Sequence, residues 1–250
     1  MNILPIHTPV IMPGTDLPSL FHAGCTLQDG DIIVVSSKAV ATAEGFILDL
    51  SSLTPSAEAA EWATKTKRSP AFMEAVLQET ARLNGTVTGY CPGALLTELR
   101  PTGLTCGTIF APNAGMDESN MELQHAAGWP MDPVESVKNL RDGLKLKCAV
   151  IIGDSCCRPR RLGVTAFALT ACGIDPLKSE IGSTDLYGRT MRVTVEALAD
   201  QLTTAANSVM GNANQSIPAA IIRDHNIPFT DFCGWVDGIE PKEDLFGGVL

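Results

Sequence analysis

The run Ile32-Ile33-Val34-Val35-Ser36-Ser37 constrains the fold most. It is short, β-branched and preceded by the turn-forming Asp29-Gly30-Asp31, so it reads as a buried strand. Residues 148–152 (CAVII) read as a second buried strand, and 164–173 (VTAFALTACG) as a third apolar run of strand character. Residues 107–111 form a short strand ending at Pro112, and 218–223 a last one. Helices fall between these strands. Segments 56–66 and 71–83 read as helices, the second with Phe72, Met73, Val76, Leu77 and Leu83 near helical spacing. Segment 132–146 opens with Asp132 as N-cap and Pro133 in the first turn. The clearest helix is 194–211, with Val195, Leu198, Leu202, Ala205 and Val209 as an apolar stripe and Gly211 at its end. The elements interleave without a regular βαβ rhythm. The expected class is therefore mixed α/β (α+β), with mixed sheets and flanking helices. No repeat breaks the chain. The unit spans 1–250, and the Gly/Pro-rich 85–107 is the place for a hinge, crossover or smaller subdomain.

Charge and composition exclude several partners. The formal net charge of −10 repels phosphate backbones, so no nucleic-acid partner is expected. It leaves room for a phosphate in a local basic pocket. No apolar run reaches the roughly 18 residues that span a bilayer, and the N-terminus lacks the pattern of a secretory signal. A cytoplasmic protein without a membrane partner is expected. The eight cysteines are scattered without a C-x-x-C spacing, and the four histidines (7, 22, 125, 225) pair with nothing, so a zinc site is not expected. Most of these cysteines are expected to be buried thiols.

Three of the strands run straight into polar loops. The first leads to Ser36-Ser37-Lys38, the second to Asn113, Asp117, Ser119 and Asn120, the third to Asp154-Ser155. If these strand ends meet at one edge, two carboxylates and a hydroxyl form a hard-oxygen set suited to Mg²⁺ or Mn²⁺. Lys38 with Ser36 and Ser37 would then supply countercharge and donors for phosphates. Taken singly, each residue is equally a turn former, a cap or a solvated strand end. No G-x-x-x-x-G-K-[ST] loop is present. The segment 150–163, VIIGDSCCRPRRLG, offers metal, redox or anion-binding chemistry. Adjacent Cys156 and Cys157 seldom bridge each other, so the redox reading is the weakest. Arg158, Arg160 and Arg161 need anionic company, from an acid of the fold or from a carboxylate or phosphate ligand.

The blocks GDIIVVSSKAVATAEG, APNAGMDESN, PMDPVESVKNLRDGL, VIIGDSCCRPRRLG and GSTDLYGRTMRVTVEALADQLTTAANSVMG, in that order, resemble the coenzyme F420 gamma-glutamyl ligase family. So do the opening HTPVIMPGTDL and the closing PKEDLF. The resemblance implies a GTP-dependent amide ligase that joins L-glutamate to a carboxylate of the deazaflavin precursor F420-0 through an acyl phosphate. It implies an intertwined homodimer, two sites for Mg²⁺ or Mn²⁺, and K⁺ as a helper. On the matching positions Asp117 and Asp154 would hold one divalent ion and Ser155 the second, with Asn212 at a further ligand position. Thr8, Pro9, Val10, Ile11, Ser37, Lys38 and Asn120 would bind the nucleotide, and 210–217, including Met210, Gly211, Asn212 and Ala213, would complete its pocket. Lys38, Asp154 and Arg158 would carry the chemistry. The chain departs from the family pattern at Cys157 and Arg160, where Gly and Trp are usual. It also departs at Thr42, where Lys is frequent, and Asn212, where an acid or amide is usual, is a weaker metal ligand than Glu would be. These departures leave two further readings: an amide ligase with another acceptor or amino acid, and a nucleotide-binding homologue without catalysis.

Overall fold

A computed structural model describes residues 1–247, so the last three residues of the 1–250 unit lie outside the described residues. The chain begins with β1 (Asn2–Ile6), α1 (Leu17–Gly24), β2 (Ile32–Ser36), α2 (Ser37–Ala43) and β3 (Ile47–Asp49). Next come α3 (Ala57–Thr66), α4 (Pro70–Arg82), β4 (Thr86–Cys91), β5 (Ala94–Leu99), β6 (Ile109–Pro112) and β7 (His125–Ala127). The second half holds α5 (Pro133–Leu144), β8 (Ala149–Cys157), β9 (Val164–Cys172), β10 (Lys178–Ser179) and β11 (Val195–Glu196). It closes with α6 (Leu198–Met210), β12 (Ala219–Arg223) and β13 (Cys233–Trp235). The class is mixed α/β, as expected.

The main sheet has six strands in the order β1-β12-β2-β8-β9-β13. Only β2 and β8 run parallel, with Val35 opposite Ile152 and Ser36 opposite Gly153. Successive residues of β2 enter different cores. Ile33 and Val35 join a cluster with Phe21, Val137, Leu140 and Trp129 beneath α1 and α5. Ile32 and Val34 join another with Ala199, Leu202 and Ala206 of α6. Burial on both faces is why the run shows no polar alternation. A second sheet, β4-β5-β6, carries a third core with Phe72, Met73 and Val76 of α4. The Gly/Pro-rich 85–107 thus contains an antiparallel hairpin, β4–β5, in which Tyr90 lies opposite Leu95.

Four expectations are corrected. First, β8 does not end at residue 152. It continues to Cys157, with Asp154 opposite Phe167 and Ser155 opposite Ala166. The hairpin with β9 supplies backbone partners that the apolar run alone does not reveal. Second, no loop follows β2, because α2 starts at Ser37. Third, the buried stripe of α6 is Ala199, Leu202, Thr203, Ala206 and Met210, whereas Val195 lies exposed in β11. Small residues let this helix approach β8 closely: a Cβ built on Gly153 would lie 2.3 Å from Thr203 Cγ2. Fourth, most cysteines are not buried thiols. Cys172 and Cys233 form a disulfide joining β9 to β13, Cys91, Cys106 and Cys157 are exposed, and Cys148 is the buried thiol among the described residues. No helix of the described residues is long and apolar enough to cross a membrane.

Candidate active site

The ends of β2 and β8 lie side by side, and a cavity of about 490 Å³ opens beyond them. Its lining includes Thr8 to Ile11 after β1, Lys38 and Thr42 of α2, Asp117, Ser119 and Asn120, Asp154 and Ser155, and residues 210–218 from the last residue of α6 onward. The three strand-end groups read from the sequence therefore do converge. Lys38 sits in the first turn of α2, directly after the strand, and Ser36 anchors the turn by donating its N–H to Pro218 O at 2.9 Å. Asp117 is presented by a buried turn, Asn113–Gly115, in which three consecutive residues have positive φ. That unusual backbone is held from β5: Leu95 N–H donates to Asn113 Oδ1 at 2.9 Å, and Ala114 N–H to Thr97 Oγ1 at 3.1 Å. Beyond the turn, Asp117 exchanges two backbone hydrogen bonds with Ala127.

Lys38 Nζ donates to Asp117 Oδ2, to Ser119 Oγ at 2.8 Å and to Ser119 O at 3.0 Å. Ser119 N–H also donates to Asp117 Oδ1 at 3.0 Å. Burial alone would raise the Asp117 carboxyl, but the Lys38 ammonium and the Ser119 hydrogen bonds outweigh it and hold the group below the usual range. Asp154 differs. Burial pushes its carboxyl up, against hydrogen bonds from Trp129 Nε1 at 2.7 Å and Ser155 N–H at 2.8 Å. Two loops close the cavity: Asn120 Nδ2 donates to Ala213 O at 2.9 Å, and Thr8 N–H to Ser216 O at 3.1 Å. Lys38 is the one cationic side chain among the described residues of the lining, because Thr42 brings no charge.

Three expected residues lie outside the lining, Asn113 among them because its side chain is spent on Leu95 N–H. Ser37 is buried inside α2 and does not line the cavity. Arg158 stands exposed in the turn between β8 and β9, outside the lining, with Arg160 and Arg161. None of the three forms an ion pair among the described residues, although Arg158 lies near enough to Asp200 to draw its carboxyl down against the rise that burial causes. Burial pushes the Cys156 thiol up despite its hydrogen bond with Thr165 and nearby Arg158. The sequence reading missed Trp129, which holds Asp154, and Asn207, which lines the cavity from α6. Trp129 left one trace, its place between Gly128 and Pro130 in a chain with three tryptophans. Asn207 left none, since an amide on a helix is ordinarily solvated.

The donor set fits a divalent cation of one kind. Asp117, Asp154, Ser119 and Ser155 supply only hard oxygens, and no group of three or more His, Cys, Asp or Glu converges among the described residues. Such a set suits Mg²⁺ or Mn²⁺ completing its coordination with water and phosphate, not a fully caged ion.

Fold and cavity together define an α+β protein with one lysine set against two aspartates where parallel strands end. The chain belongs to the F420-0:gamma-glutamyl ligase family, whose profile matches residues 5–224. It is 35% identical over 242 residues to the coenzyme F420:L-glutamate ligase of Methanopyrus kandleri, covering 95% of this chain and 86% of that protein. The protein of the same name from Methanocaldococcus jannaschii is 33% identical over 98% of this chain and 95% of its own length. That from Methanosarcina acetivorans is 38% identical over 86% of this chain and 82% of its own.

Proposed function

We propose that the protein is a coenzyme F420:L-glutamate ligase, using GTP to activate a carboxylate of F420-0 as an acyl phosphate. Family membership supports the ligase activity. The observation that carries the chemistry is the placement of Lys38, Asp117, Ser119 and Asp154 around one cavity. Its volume, about 490 Å³, falls in the range of small-molecule sites.

Amide formation from a free carboxylate needs a leaving group. In the proposed sequence a carboxylate oxygen of the acceptor attacks the γ-phosphorus and GDP departs. The glutamate amine then attacks the acyl carbon, phosphate leaves, and the ammonium proton passes to solvent. The first step brings anions together, so preorganised positive charge is the main resource the protein contributes. Lys38 supplies it from a helix turn fixed to the sheet. Thr8 to Ile11 and 210–217, joined through Thr8 and Ser216, would enclose the nucleotide. Asp117, Asp154 and Ser155, with Asn212 nearby on the lining, would hold Mg²⁺ or Mn²⁺, which when bound neutralise phosphate charge. The unpaired arginines of the β8–β9 turn would receive the anionic acceptor.

A homodimer is part of the same proposal. Residues 177–195 expose Leu177, Ile181, Leu186, Tyr187, Val193 and Val195 on a projection held by two two-residue strands. A second copy is the cover the family resemblance supplies for so apolar a surface.

The test incubates the protein with GTP, Mn²⁺, L-glutamate and F420-0. The expected result is F420-0 extended by glutamate, with one GDP released per bond. GDP release with other carboxylates only would favour a different acceptor, the reading that Cys157 and Arg160 motivate. GTP binding without turnover would favour the non-catalytic reading that Thr42 and Asn212 motivate.

A further inference from the structure

Trp129 is fully buried, and its indole N–H finds its acceptor in Asp154 Oδ2, 2.7 Å away. The ring has little room to swing. Phe167 lies edge-on at 6.3 Å between centroids, and Trp235 lies at the same distance on the other strand of the sheet edge. Gly115 is pressed against the indole so closely that a Cβ there would fall 2.3 Å from Nε1. The donor is thus clamped by packing on several sides. The second Asp154 oxygen, Oδ1, accepts from the Ser155 backbone N–H at 2.8 Å.

The two carboxylates of the cavity are therefore held in opposite ways. Asp154 is gripped at both oxygens by a buried indole and a strand N–H, neither of which faces the cavity as a mobile group. Asp117 is held by Lys38 and Ser119, which are themselves cavity residues free to turn to a ligand. Each Asp154 oxygen keeps a free lone-pair direction after these bonds. A carboxylate fixed in this way meets a cation without paying to order itself, and outer donors of this type tune metal sites strongly.

We propose that Trp129 is a positioning residue that presets Asp154 as the resident half of the divalent-cation site, with Asp117 recruited from Lys38 when the cation arrives. The inference rests on the proposed metal site. It concerns Trp129, which nothing in the ligase reading requires.

The experiment titrates Mn²⁺ into nucleotide-free protein and follows the free-ion EPR signal, in wild type, Trp129→Phe, Asp154→Asn and Trp235→Phe. Thermal unfolding of each is measured in parallel. Trp129→Phe should weaken Mn²⁺ binding by about 10- to 100-fold, the usual range for a lost outer partner. Asp154→Asn should weaken it at least as much. Trp235→Phe should lower the melting temperature but leave Mn²⁺ binding as in wild type, because it disturbs the packing without removing the donor. Equal binding by wild type and Trp129→Phe, with Asp154→Asn weakened, overturns the positioning inference and leaves the metal site standing. Equal binding by wild type and Asp154→Asn overturns the metal site and this inference with it. If Trp129→Phe does not fold, wild-type protein labelled with ¹⁵N gives the answer. Saturating Mg²⁺ should shift the Trp129 indole N–H cross-peak, and an unmoved peak overturns the proposal.

Discussion

The Lys38 ammonium and the Asp117 carboxylate, 79 positions apart in the chain, meet as an ion pair at the cavity lining. Neither neighbour in sequence forces this. Lys38 is placed by the strand-to-helix turn after β2, and Asp117 by the Asn113–Gly115 turn anchored to β5. Lys38→Ala should lower kcat by about 10²- to 10³-fold, the range for loss of one preorganised donor at developing charge. Steady-state GDP release checks it. A fall confined to KM would assign Lys38 to ground-state binding instead.

Close approach of α6 to β8 depends on Gly153. A methyl there would lie 2.3 Å from Thr203 Cγ2 and 2.9 Å from Phe167 O. Gly153→Ala should therefore destabilise by about 1–3 kcal/mol through overpacking. Adding Thr203→Ser removes the clashing methyl. The double variant should recover part of the loss, a non-additivity expected of touching residues. Denaturant melts of the four proteins give the cycle.

At the other end of β2, Asp31 is fully buried and accepts from Arg223 Nε and Nη2, both at 2.7 Å. Gln28 N–H donates to the same carboxylate at 2.9 Å. This pair ties β12 to the start of β2. Arg223→Ala leaves the buried carboxylate without its cation, and should cost about 3–5 kcal/mol. Urea unfolding measures it, and a loss below 1 kcal/mol would show that water replaces the guanidinium.

The four inner strands of the main sheet were legible in the sequence, because strands buried on both faces leave continuous apolar runs such as Ile32–Val35, whereas the edge strands β1 and β13 were not read. Nor was the second half of β8. Residues 154–157 are polar or small, and only their pairing with residues 164–167 makes them a strand. Lys38 and Asp154 were readable as chemistry at the ends of adjacent strands of one sheet, whereas Asp117 reaches the cavity from β6 of the second sheet through the Asn113–Gly115 turn. Trp129 was not, because its link to Asp154 exists only once the residues after β7 pack against β8. Ser37, a nucleotide contact by resemblance, lies outside the cavity lining: Ser36 lines the cavity, and Ser37 turns into the core.

A pH effect should arise at Asp200, in the first turn of α6. Burial raises its carboxyl, opposed by a hydrogen bond from Ala168 N–H at 2.9 Å and by nearby Arg158. A carboxyl raised in the folded state is costly to ionise there. Its contribution is thus most favourable below the ordinary carboxylate value and declines as pH rises through that value to the folded one. Asp200→Asn keeps an acceptor for Ala168 and cannot ionise. The variant should gain stability relative to wild type as pH rises from about 4 to 7. Melting curves across that window decide it, and parallel curves would remove Asp200 from the account.

The exposed projection at 177–195 yields a test of assembly. Leu186 and Val193 are among its most exposed apolar side chains. Leu186→Asp with Val193→Asp should leave the monomer's stability nearly unchanged, since neither side chain is packed in the chain. It should convert the proposed dimer to monomer in light scattering coupled to size exclusion. A monomeric wild type would refute the dimer outright.

In the proposed reaction the β8–β9 turn would separate acceptor recognition from nucleotide recognition. Arg158, Arg160 and Arg161 stand outside the cavity lining and form no ion pair among the described residues, while Lys38 faces the lining. Arg160→Ala with Arg161→Ala should raise KM for F420-0 by about tenfold or more, in line with loss of charge-assisted hydrogen bonds to an anionic ligand. KM for GTP should stay as in wild type. Raising the salt concentration should reproduce the acceptor effect in wild type and have less influence on the double variant, since screening weakens exposed charges most. Equal changes in both KM values would place the arginines on the nucleotide instead. No change in either would return them to plain surface residues and move acceptor recognition to the cavity itself.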